Sequence, residues 1–149
     1  FRYDGNSLSM IGQICTWPEN MKIEDGVLHT KIRCNTMGTM AIETSWILDE
    51  NGQLSMVEQD AYGYGKDFTY PGEPDDFFAY LKQTITVYSE KDEMSTATEM
   101  EPQYVNFPYT DGENWTYVQG ESGQGGWLYL NEPYYEQRVA LFDGLFFAD

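Results

Sequence analysis

Cations are scarce in this chain: eight lysines and arginines stand against 25 aspartates and glutamates, a formal charge of −17. That imbalance repels phosphate backbones and anionic membrane surfaces, which excludes generic nucleic-acid binding. Solubility is the plain reading of the carboxylates; a cationic partner, or low-affinity calcium at clustered acids, is the sharper one. No apolar run is long enough to cross a bilayer as a helix, so no transmembrane segment is expected, and no secretory signal lies within the chain. Long runs rich in alanine, leucine and lysine are also missing, which turns the fold class away from helix bundles.

Cysteine and histidine are nearly absent too. Cys15 and Cys34 are compatible with a disulfide in an oxidising compartment and equally with two buried thiols. Their spacing is too wide for a cysteine knuckle, so no metal is expected. His29, the only histidine, alternates on one strand face with Lys31 and reads as a surface imidazole; a general-base role needs a neighbouring nucleophile that the sequence does not locate. Carboxylates are too numerous for any pair to be singled out as glycosidase acids. The glycine-rich run from Gly120 to Gly126 has no lysine and no following helix, unlike a phosphate-binding loop, and no cofactor is expected. An enzyme is therefore not the preferred reading.

What the chain does have is aromatic residues, 16% of the total, within 41% hydrophobic content. Tyr, Phe, Trp, Thr, Val and Ile favour strands. Asp4-Gly5, Asp25-Gly26, Asn51-Gly52, Asp111-Gly112 and Asp143-Gly144 are tight-turn dipeptides, so the strands should be many and short. Met21 to Glu24 and Val27 to Cys34 flank one such turn; Ala41 to Leu48 and Leu54 to Glu58 flank another. Residues 61–80, rich in Gly, Pro and aromatics without period, read as a connector, with one helical turn near Asp75 to Leu81. Further strands are expected at Ile85 to Tyr88 and Tyr104 to Tyr109, with a charged loop from Ser89 to Ser95 and Ala97 to Met100 leading to Pro102 between them. Trp115 and Tyr117 share one strand face, as do Trp127 and Tyr129 across the glycine-rich turn. The apolar C-terminal segment, 134–149, should dock back on the body, and pairing with the first half would tie the halves together.

Leu81-Lys82 with Thr86-Val87-Tyr88, then Val105, Tyr109-Thr110-Asp111-Gly112 before Trp115-Thr116-Tyr117-Val118, and Gly126-Trp127-Leu128, together resemble bacterial SH3-like domains. The resemblance covers about a third of the chain and implies an extracytoplasmic module that binds cell-wall peptide or another protein. The expectation is an all-β protein of two packed small β units: 1–80 with its connector, and an SH3-like barrel at 81–133. The expected function is that of a non-catalytic binding module of a secreted or lipid-anchored bacterial protein; the alternative is an accessory domain of a cell-wall or carbohydrate-degrading hydrolase. Starting at Phe1 rather than Met, the chain reads as a trimmed segment, which leaves open a preceding signal peptide or lipid anchor. In the barrel the tryptophans are expected in the core. Tyr88, Tyr104, Tyr109, Tyr117 and Tyr129, with Glu90 and Asp92 in the adjoining loop, are the candidate ligand-binding residues.

Overall fold

All five Asx-Gly dipeptides turn the chain with the glycine at positive φ. The computed structural model describes residues 1–16, 20–38, 40–65, 79–131, 135–145 and 147. At Asp25-Gly26 both residues have positive φ, 50° and 81°, the mirror-image turn that matches the twist of a two-residue hairpin. It joins β3 (Met21–Glu24) to β4 (Val27–Cys34), in register from Glu24↔Val27 to Met21↔Thr30.

The protein is all-β: among the described residues there are fourteen strands and one seven-residue helix, and every strand pair is antiparallel. A separate ribbon pairs β1 (Arg2–Tyr3) with β2 (Leu8–Ser9). In the first half β4 pairs β5 (Met40–Leu48), whose other edge takes β6 (Leu54–Met56) at one end and β7 (Tyr62–Gly65) at the other. The expected connector contributes β7; residues 66–78 lie outside the described residues. So does most of the expected helical turn, and its last residues, Ala79 to Leu81, form a strand, β8 (Ala79–Leu81).

The second half is a meander of β11 (Tyr104–Thr110), β12 (Trp115–Gly120) and β13 (Gly125–Tyr129), with β9 (Ile85–Tyr88) against β13 and β10 (Ala97–Met100) against β9. No pairing joins β10 to β11, although both strands are fully described. Met100 and Val105 nevertheless meet Val87, Val118 and Leu128 in one core cluster, so the sheet curls around a shared interior. The free edge of β11 is split: its start takes β8 and its end takes β7, which makes the sheet continuous from β10 to β3.

Beyond Leu130 comes a helix, α1 (Tyr135–Leu141), then β14 (Phe142–Asp143) on β8. Phe142 is fully buried and meets Phe107 edge to face at 5.2 Å. The C-terminal segment thus pairs with β8, which spans the expected boundary at residue 80 and itself pairs with β11. Its helix still reaches the first half: Arg138, buried, donates through Nε to the Thr36 carbonyl. Nearby, the Tyr64 hydroxyl meets Thr116 Oγ1 at 3.2 Å, and Met37 joins the second-half core. Burial pushes the Tyr64 hydroxyl far above its ordinary value, with Cys34 adding to the shift.

The cysteines are two free thiols. Cys34 packs inward with Ile42 and Tyr62 and sits 3.1 Å from Thr36 Oγ1, while Cys15 lies exposed on the N-terminal segment, so the disulfide alternative falls.

Candidate functional site

Strand alternation divides the second-half sheet into two faces. On β12, Thr116, Val118 and Gly120 are buried and Trp115, Tyr117 and Gln119 point away; on β13, Gly126 and Leu128 are buried and Trp127 and Tyr129 point away. Both tryptophans therefore stand half-buried on the outer face, which corrects the expectation that they fill the core. On these two strands the inner face carries Thr116, Val118, Gly126 and Leu128, and Val118 and Leu128 join a core cluster whose large members, Met37, Met100, Phe107 and Phe142, come from elsewhere in the chain. Gly126 shows how close the strands come: a Cβ on it would lie 2.8 Å from Val87 Cβ.

Register sets the outer rings side by side. Trp115 lies opposite Tyr129 and Tyr117 opposite Trp127, with ring centroids 4.9 and 5.4 Å apart. On one flank Tyr88 is paired with Trp127 along the backbone and sets its ring edge-on to Trp115 at 5.8 Å. On the other flank β11 would present Tyr109 inward if its alternation continued from Val105 and Phe107. A register shift between Asn106 and Tyr109, at Pro108, re-aims Tyr109 outward, 6.4 Å from Tyr117. Proline is at home there because the bulge asks for no ladder hydrogen bond from it.

Six aromatic rings thus form one continuous face across β9, β13, β12 and β11. It is bordered by the loop after Tyr88, where Glu90 and Asp92 are exposed. From the same loop Lys91 places Nζ 5.5 Å from the Trp127 ring centroid and also donates to the Asp60 carbonyl. At the far end Asp111 Oδ1 accepts from the backbone N–H of Glu113 at 2.8 Å and of Trp115 at 3.0 Å, holding the turn that delivers Trp115.

Of the seven candidates read from the sequence, Tyr88, Tyr109, Tyr117 and Tyr129 come together here, with Glu90 and Asp92 at the border. Tyr104 does not. It sits at the opposite end of β11, edge-on to Tyr80 at 5.2 Å, beside Asp143 and Gly144. Sequence reading missed Trp115 and Trp127 as surface residues, and the signal was available: residues two apart on a strand share a face, so Trp115 could not be core while Tyr117 was groove.

Little else offers chemistry. Ser45 Oγ lies 3.1 Å from His29 Nδ1, a nucleophile-type neighbour invisible in sequence because it comes from the paired strand. Both residues line an open cavity of about 490 Å³ over the first-half sheet, together with Lys31, Glu43 and Gln59. Among the described residues no group of three or more His, Cys, Asp or Glu side chains could hold a metal ion, and no helix is long and apolar enough to cross a membrane. No protein-family model, curated protein or solved structure matches the chain.

Proposed function

We propose that the chain is a non-catalytic binding module of an extracytoplasmic bacterial protein, secreted or lipid-anchored, and that its outer aromatic face binds an extended peptide of the cell wall or of a protein partner. Residues 81–133 are proposed as its SH3-like barrel; the meander of β11, β12 and β13 with β9 laid over Gly126 supports that reading. The observation that carries the function is the continuous outer face of six half-buried or exposed rings, two of them tryptophan. Tryptophan and tyrosine dominate binding energetics because each removes a large apolar area from water while keeping a polar tip. A contiguous aromatic surface left uncovered by the fold is the kind that a partner covers. The charge of −17, with Glu90 and Asp92 at the border, favours a peptide that carries ammonium groups.

The test is retention on purified peptidoglycan, with wild type compared against Trp127→Ala. Retention that falls about thirtyfold in Trp127→Ala, the loss of one binding hot spot of about 2 kcal/mol, supports cell-wall recognition. Failure to bind across a range of salt, or equal retention by a folded Trp127→Ala protein, overturns it.

A further inference from the structure

Away from that face, three neighbouring strands place Asp143, Tyr80 and Tyr104 in one row. Tyr80 on β8 is paired with Asp143 of β14 on one side and with Tyr104 of β11 on the other. Their chain neighbours Ala79, Leu81, Val105 and Phe142 are buried, so by alternation the row faces outward. Tyr80 is 39% exposed and Tyr104 55%, and their rings meet at 70°, two walls of a corner rather than a stack. Gly144, at φ +91°, turns the chain away beside Asp143 without adding a side chain, and an open cavity of about 440 Å³ is left over the row.

We propose that Tyr80, Tyr104 and Asp143 form a second binding site, distinct from the outer aromatic face, that takes an alkylammonium group such as a quaternary ammonium head or a lysine side chain. The faces of aromatic rings carry negative potential, and two rings set at an angle surround a compact cation better than one. Asp143 supplies the counter-charge. It shares that charge with Lys82, whose ammonium lies 3.2 Å from Oδ1 and also donates to the Val139 carbonyl, but the carboxylate remains 68% exposed. The row is poorly suited to a divalent metal, which needs several oxygen ligands where the described residues lining this site offer a single carboxylate. It is equally poor for an anion, which the net charge of −17 would repel. A flexible, hydrophobic-skirted cation is the ligand that both rings and the carboxylate can serve at once.

The experiment is an amide NMR titration with choline, run beside its neutral isostere 3,3-dimethylbutan-1-ol. Choline should shift the amides of Tyr80, Tyr104 and Asp143 in a saturable way, and the neutral isostere should bind about tenfold or more weakly. Tyr104→Ala, an exposed position whose loss should spare the fold, should weaken choline at least about fivefold while keeping the net charge. Trp127→Ala should leave choline binding unchanged, so that failure of the peptide-binding reading and failure of this one are told apart. No saturable shift, equal response to the isostere, an unaltered response in Tyr104→Ala, or its loss in Trp127→Ala would each overturn the proposal.

Discussion

A side chain at Gly126 should break the seam between β9 and β13 on which the aromatic face is built. Its Cβ would lie 2.8 Å from both Cβ and Cγ2 of Val87 and 3.0 Å from the Tyr88 carbonyl oxygen, where ordinary contact begins at 3.4 Å. Val87 is 1% exposed, and neither its Cβ nor a backbone oxygen can be moved by a rotamer change, so β9 itself must shift. The backbone at Gly126 is outside the left-handed region, which leaves overpacking as the whole cost, about 1–3 kcal/mol. For a chain of this length each kcal/mol lowers the melting temperature by roughly 2–4 °C, so Gly126→Ala should melt about 2–12 °C below wild type. Gly63→Ala is the control, because a Cβ there meets nothing within 4 Å. Val87→Ala removes the Cγ2 contact but keeps the Cβ one, so the double variant should be more stable than the sum of the singles by about 0.5–1 kcal/mol. Urea unfolding followed by tryptophan fluorescence reads the wild type and all four variants. If Gly126→Ala lies within about 0.5 kcal/mol of wild type, or if the two changes simply add, the close crossing of β9 over β13 is wrong.

Three other outcomes follow from the packing. Phe142→Ala removes a fully buried ring from its partner Phe107 and should cost about 3–5 kcal/mol in urea unfolding; a loss under about 1 kcal/mol would mean that the C-terminal segment does not dock. Tyr64 has its hydroxyl held neutral by burial, so its contribution to stability is complete below pH 10.0 and declines as pH rises above that value. An absorbance titration should show Tyr64 ionising only as the protein unfolds in alkali, which Tyr64→Phe identifies by difference; ionisation of Tyr64 together with the exposed tyrosines in the folded protein contradicts its burial. Ellman's reagent should find one fast thiol, Cys15, and a second, Cys34, that reacts only on unfolding, with the same intact mass before and after reductant.

Which parts of this molecule could be read in its sequence depends on whether the deciding interaction is local. Turns were legible because Asp-Gly and Asn-Gly act through their own dihedrals, and all five dipeptides turn as expected. Strand positions at 85–88, 104–110, 115–120 and 125–129 were legible because alternation between turns is also local, whereas the strand at 97–100 went unread. The helix at Tyr135–Leu141 was not, since its register depends on Arg138 reaching Thr36, a contact 102 residues away. Facing was the hardest step. Period two says that Trp115 goes with Tyr117 and Thr116 with Val118, but it does not say which pair is inside; that is set by which face the other strands close over, a long-range arrangement. Tyr109 shows the same limit in reverse, because a proline-marked bulge flips its face and so joins it to the ladder. The aromatic face is therefore the other side of the core: Thr116, Val118, Gly126 and Leu128 take the inner face, and the register then lines both tryptophans up with the tyrosines on the outer one.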